Sequence, residues 1–307
     1  MEKSMIQFLN LKGEAVQKEG FPNLSEKEIK KMYELMVLAR VFDTVALKLQ
    51  REGRMLTYAS LLGQEASQIG SALAITDQDW FTSSYRDHGV WIARGFPMEG
   101  LYLYWAGDER GMKIPDGINA LPPAIPVGSQ IPHAVGLAFA QKLQGKKSVA
   151  LTYFGDGATS KGDFYEGLNF AGVFQIPCVF ICQNNQWAIS MPVSKQTKSE
   201  SFAQKALSCG VKGVLVDGND VFAVYDVTKK AVAEAREGKG PTFIECYTYR
   251  LENHTTADDW KRYRDSKEVE AWKKKDPIKR LQKYMAQKGF WKEEYENKVQ
   301  KESEEKV

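Results

Sequence analysis

The sequence predicts a doubly wound α/β fold, a mostly parallel sheet flanked by helices, with helical extensions at both termini. Three observations carry that expectation. The runs SVALTYF at 148–154 and CVFICQ at 178–183 are almost continuously apolar and rich in β-branched and aromatic residues, the character of strands buried on both faces. Between them KGDFYEGLNFAGVF sets Phe164, Leu168, Ala171 and Phe174 on one helical stripe, so residues 148–183 form one βαβ unit with a right-handed crossover. The alternation repeats further on. VLVD at 214–217 and TFIECYTY at 242–249 read as strands, joined by a helix over Val221–Arg236 that carries Val224, Thr228, Ala231, Val232 and Ala235.

The flanking elements follow from local signals. Ser25 with Glu28 makes a capping box, and Ile29, Met32, Met36, Ala39, Phe42, Ala46 and Leu49 recur at three and four, so a long amphipathic helix begins near 25. LLGQEA at 61–66 opens an amphipathic helix on which Glu65 reads as a packing or interface residue. WFTSS at 80–84 has the character of a strand end, and residues 107–132, rich in Gly and Pro, read as a long functional loop. GSQIP opens a helix that carries His133, expected in the core or at an interface. Asp276 and Pro277 sit as N-cap and first helical residue of a stripe through Ile278, Leu281 and Met285, which Gly289 stops. The last residues, 292–307, are charged helix or frayed tail. These signals divide the chain into an N-terminal helical extension (1–50), a ligand-binding α/β domain (51–265) and a C-terminal helical extension (266–307).

Composition narrows the function. With 42 basic and 39 acidic side chains the net charge of the 307 residues is +3, which gives no electrostatic grip on nucleic acid or anionic lipid. No run approaches the roughly 18 apolar residues of a membrane span. Four cysteines without a CxxC pair and three histidines assemble no zinc site of standard spacing and fit a reducing cytoplasm.

The chemistry gathers where strands end. The strand at 148–154 runs into Gly155-Asp156-Gly157 and the strand at 178–183 into Asn184-Asn185, so both turns lie at the carboxyl edge of the sheet, where α/β proteins bind ligands. Glycines let backbone approach a phosphate closely. A carboxylate between them would repel a bare diphosphate, so the pattern makes sense with a hard divalent cation, Mg²⁺, held by Asp156, the Asn185 amide oxygen and phosphate oxygens. On its own GDG reads equally as a tight turn after a buried strand. GDGATS also matches the first two glycines of a nicotinamide-binding Rossmann turn, with Ser160 where the third would stand.

GDGATSKGDFYEGLNFAG with QNNQWAIS resembles the thiamine diphosphate fingerprint of the alpha subunits of the decarboxylating first component of 2-oxo-acid dehydrogenase complexes, pyruvate or branched-chain type. LLGQEA, SSYRDHG (83–89), GSQIPHAVG (128–136) and YRLENHTTADD (249–259) extend the resemblance from about 26 to 289. It implies a thiamine diphosphate-binding fold, with Asp156, Asn185 and the main-chain carbonyl of Trp187 on Mg²⁺. It also implies that Tyr85, Arg86, Gly157, Ala158, Gln183 and His254 hold the diphosphate, with His254 catalytic and Val127 near the pyrimidine. The implied reaction decarboxylates a 2-oxo acid and passes the acyl group to a lipoyl domain of the acyltransferase component. The activating glutamate then belongs to a beta subunit, in an α2β2 heterotetramer. The other readings are an acetoin dehydrogenase alpha chain, a noncatalytic scaffold subunit and a nicotinamide-dependent oxidoreductase. Gln183 stands where some relatives have arginine, and Gln186 where they have glycine. Thr255 stands where they carry a phosphorylatable serine, in a charged segment (251–264) with few apolar anchors that is expected to be mobile until His254 meets the diphosphate.

Overall fold

A computed structural model describes residues 5–16 and 20–307. The helices are α1 Glu26–Arg51, α2 Glu65–Ala72, α3 His88–Ala93, α4 Met98–Ala106, α5 Gln130–Leu143, α6 Gly162–Val173, α7 Val193–Gln196, α8 Ala203–Leu207, α9 Val221–Arg236, α10 Ser266–Lys273, α11 Pro277–Gln287 and α12 Glu293–Lys306. The strands are β1 Trp80–Thr82, β2 Ala150–Gly155, β3 Cys178–Asn184, β4 Trp187–Ala188, β5 Met191–Pro192, β6 Lys212–Asp217 and β7 Thr242–Tyr247. Five of them form one sheet in the order β1-β2-β3-β7-β6. Every pairing in it is parallel, as the apolar runs predict. Strand limits differ from the sequence reading by one or two residues.

The period-2 alternation of the central strands builds a core on each face. Leu151, Tyr153, Val179 and Ile181 join α1, α2 and α9 in one apolar cluster, which Ile278, Leu281 and Met285 of α11 enter as well. Ala150, Phe154, Cys178, Phe180 and Cys182 face the other way, onto α5, α6 and α8. Truncating a fully buried aromatic such as Phe154 to alanine would cost about 3–5 kcal/mol.

Both terminal regions hold down this body. Ser25 and Glu28 form the expected capping box of α1. Residues 5–16 form bridges and a turn rather than a helix: Ile6 bridges Val216, with its N–H on Leu215 O (3.0 Å) and its carbonyl accepting from Asp217 N (2.9 Å). The Asp220 carboxylate then accepts from Phe8 N and Leu9 N while capping α9. At the other end α12 is a complete helix with Val299 and Ser303 buried. The Gly- and Pro-rich loop is tethered along the exposed side of β1, through Phe81 N to Asn119 O (3.0 Å) and Ala124 N to Ser83 O (2.9 Å), and so carries Val127 to the carboxyl edge of the sheet.

Candidate cofactor and metal site

β2 and β3 end side by side, with Gly155 opposite Gln183. β2 feeds a 3₁₀ turn, Asp156–Ser160, before α6 starts at Gly162, so the turn itself presents the acid. Asp156 is 1% exposed. Burial pushes its carboxyl up, opposed by the Gln196 amide, whose Nε2 donates to Oδ2 at 2.6 Å. Thr159 Oγ1 donates to Asp156 O, and Lys205 Nζ donates in turn to Thr159 (3.1 Å to Oγ1), so the turn is clamped from behind. At Gly157 a Cβ would stand 2.8 Å from the Ala188 Cβ, so only glycine lets the two backbones approach this closely.

β3 runs on through Asn185 into the β4–β5 hairpin. Asn185 Nδ2 donates to Gln64 Oε1 (3.2 Å), which turns its amide. Gln186 lies at φ +73°, in the left-handed region that glycine adopts most readily, and Ile189, β-branched, lies at φ +53°. The hairpin is held by Arg250, a fully buried residue just past β7. Its guanidinium donates to Trp187 O (3.1 Å), Ile189 O (2.7 Å) and Tyr263 Oη (2.9 Å). The second lone pair of the Trp187 carbonyl remains for another partner.

Beyond β1, Ser84 donates through N and Oγ to Asp87 Oδ2, fixing the turn that displays Tyr85 and Arg86. Arg86 donates to Ser60 O and His254 O, each at 2.7 Å, and reaches His254 Nδ1 at 3.3 Å. Arg250 Nη1 lies 3.4 Å from the same nitrogen. Two guanidiniums facing Nδ1 make it the acceptor, so the proton sits on Nε2. Burial, then the two arginines, push this imidazole down to about 3, and the ring is neutral. Tyr85 meets it edge to face at 6.1 Å.

The segment expected to be slack is tightly partnered. Arg264 donates to the carbonyls of Arg250 and Glu252, and Asp258 accepts from His254 N (2.8 Å) and Tyr263 Oη. Thr256 pairs with Tyr58 through N to Tyr58 O (2.9 Å) and Oγ1 from Tyr58 N (3.1 Å). Arg264 binds buried backbone while Asp259, Lys261 and Arg262 stay exposed, a division that apolar periodicity does not reveal.

These elements enclose a cavity of about 230 Å³ lined by Tyr85, Arg86, Val127, Asp156, Gly157, Ala158, Gln183, Asn185, Trp187 and His254. Every residue singled out from sequence as a site residue is thus brought together. Gln183 also has protein partners of its own. One N–H of its Nε2 donates to Asp87 (2.5 Å) and its Oε1 accepts from Gln68 (3.0 Å), so it positions the Asp87 turn and keeps its second amide N–H for a ligand. Glu65 lies elsewhere, buried against Arg40 (2.8 Å) and Gly63 N (3.0 Å), in agreement with a packing role. His133 is exposed rather than in the core, and His88 is buried against Tyr58. Sequence reasoning missed Gln64, Asp87, Gln130, Arg250 and Gln196. All but Gln196 fall inside the quoted motifs, yet polar residues destined for burial look there like surface ones.

The donor set suits a diphosphate carried with a hard divalent ion. It offers one buried carboxylate, an amide oxygen and a carbonyl, and among the described residues no group of three or more His, Cys, Asp or Glu converges on a metal position. An ion here would complete its shell with ligand or water oxygens, which suits Mg²⁺. Gln64 Nε2 and Gln130 Oε1, on two cavity-lining residues, are buried without a protein partner. Arg86 and Arg250 bring positive charge close to His254.

The family model of the dehydrogenase E1 component matches residues 33–307. The pyruvate dehydrogenase E1 component subunit alpha of Acholeplasma laidlawii is 47% identical over 94% of this chain and 84% of its own length. The proteins of that name from Staphylococcus aureus strain Mu50 and Staphylococcus epidermidis are each 45% identical over 96% of this chain and 80% of their own length.

Proposed function

From the premise that this chain belongs to the dehydrogenase E1 component family, as an alpha subunit of a 2-oxo-acid dehydrogenase dependent on thiamine diphosphate and Mg²⁺, we propose a specific division of labour. The chain acts on pyruvate, with a beta chain in an α2β2 assembly, and the acyl group passes to a lipoyl domain of the acyltransferase component. The family sets aside the nicotinamide reading, and no observation favours acetoin. The observation that carries the proposal is the convergence of all the expected residues on one cavity at the sheet's carboxyl edge.

Bound thiamine diphosphate supplies the electron sink for loss of carbon dioxide. The protein's part is to bind, orient and keep water out. Asp156, Asn185 Oδ1 and Trp187 O would hold Mg²⁺. His254, neutral and protonated at Nε2, donates to a diphosphate oxygen, and the N–H bonds of Arg86 left over from Ser60 and His254 supply charge beside it. Val127, Phe154, Trp187 and Ile189 form apolar walls. The two carboxylates that line the cavity are engaged, Asp156 by Gln196 and Asp87 by Ser84 and Gln183. On this reading the acid that activates the cofactor comes from the beta chain.

Among the described residues no helix is long and apolar enough to cross a membrane. The cysteines are free and three are buried, in keeping with a cytoplasmic location. Pyruvate decarboxylation by the purified chain, alone and with a beta chain, tests the division of labour. No turnover alone and turnover on assembly are expected. Robust turnover by the chain alone would overturn it.

A further inference from the structure

The short helix α7 links the Asp156 carboxylate to the β4–β5 hairpin through one side chain. Gln196 Nε2 donates to Asp156 Oδ2 at 2.6 Å and to the carbonyl of Met191 at 3.0 Å. The first bond ends on the carboxylate assigned to the ion. The second ends on β5, the partner strand of the segment that carries the Trp187 carbonyl. α7 is itself pinned to the ligand loop, with Val193 N on Gln186 O at 3.2 Å. Both donors of the amide are therefore in use, while Gln196 Oε1 is buried and has no partner. A methionine of similar volume would fill the space without that orphan acceptor, so what the amide contributes is its two N–H groups.

The Asp156 turn is braced internally by Thr159 and from behind by Lys205. The remaining freedom is rotation of the carboxylate about its own bond, which decides whether one oxygen or both can face an ion. Mg²⁺ requires near-octahedral geometry at short range and takes carboxylates through one oxygen, whereas Ca²⁺ accepts six to eight oxygens and readily takes both.

We propose that Gln196 is a positioning residue that sets metal selectivity. By engaging Oδ2 of Asp156 it restricts that carboxylate to single-oxygen coordination, favouring Mg²⁺ over Ca²⁺. The proposal rests on the assignment of Asp156 as a metal ligand. Loss of an outer partner of a metal ligand typically lowers affinity about 10–100-fold. Here the loss falls on the small ion, because a released carboxylate can still serve the larger one.

The test is calorimetric titration of Mg²⁺ and, separately, Ca²⁺ into the full chain assembled with a beta chain, at fixed thiamine diphosphate. It compares wild type, Gln196→Met and Gln196→Glu, with Asp156→Ala as the reference for the ligand assignment. Both Gln196 variants are expected to lower the Mg²⁺ over Ca²⁺ affinity ratio about tenfold or more, mainly through weaker Mg²⁺. A merely structural role would weaken both ions alike, and an unchanged ratio in either variant overturns the proposal. Should Gln196→Met fail to fold, the near-isosteric Gln196→Glu decides alone. Wild-type metal affinity in Asp156→Ala would instead overturn the ligand assignment, and the selectivity role with it.

Discussion

Replacing Arg250 by methionine removes the guanidinium but keeps much of the side chain's length. Three bonds of 2.7 to 3.1 Å are lost, to two main-chain carbonyls of the β4–β5 segment and one phenol. Bonds to a charged donor are worth about 1.5–3 kcal/mol each. The full sum overstates the loss, since the arginine is fully buried, its Nε has no partner, and burial pushes its titration down to about 10. A net destabilisation of about 3–5 kcal/mol, typical of breaking a buried charged network, is the working value. At about 2–4 °C per kcal/mol in domains somewhat smaller than this one, Arg250→Met lowers the melting temperature by roughly 10 °C. Arg250→Lys restores the charge at one point without the planar fork, and regains less than half of the loss. Freed of Arg250, the Trp187 carbonyl loses its orientation, so Mg²⁺-dependent binding of thiamine diphosphate weakens about 10–100-fold. Thermal unfolding by circular dichroism and calorimetric titration read the two effects. A melting temperature within 2 °C or so of wild type, with unchanged cofactor affinity, would refute the role assigned to this residue.

Asp156→Ala abolishes metal-dependent binding of thiamine diphosphate and Asn185→Ala weakens it less, because only the first removes a charged ligand; wild-type affinity in either variant speaks against the assignment. His88 supplies the pH prediction. Burial pushes its imidazole down to about 3, below the unfolded value near 6.5, so its contribution is complete above pH 6.5 and is lost as pH falls and the unfolded chain takes up protons. The stability advantage of wild type over His88→Gln, from urea unfolding, therefore shrinks by about 2 kcal/mol between pH 7 and pH 5. Asp43, Asp87 and Asp220, held up near 6 by burial, act in the opposite direction, so the comparison with His88→Gln is what isolates the histidine. A constant difference at the two pH values would contradict a buried neutral His88.

The frame of this molecule was legible because partitioning leaves a periodic trace. Leu151, Tyr153, Val179 and Ile181 alternate with Phe154, Phe180 and Cys182, and the capping box at Ser25 marks the start of α1. The turns at Asp156 and Asn185 could be placed at one edge because both follow buried parallel strands. Buried polar residues leave no such trace. Arg250 and Arg264 read as surface charges until the main-chain carbonyls they bind are seen. Gln196 lies 40 positions from Asp156, and nothing local distinguishes it from a solvated glutamine. The path of residues 5–16 was equally hidden, because its partners, the strand at Leu215 to Asp217 and the Asp220 carboxylate, lie more than 200 positions away.

That separation has a consequence during synthesis. Phe8 donates its N–H to a carboxylate 212 positions later in the chain. At about 5–20 residues per second, translation leaves roughly 10–40 s between the appearance of the two partners. For that interval the Phe8 ring has Phe21 beside it, while its N–H waits for Asp220. When β6 emerges, its free side is open to any extended chain until Ile6 docks there. Docking of Ile6 beside Val216 then occupies part of that edge.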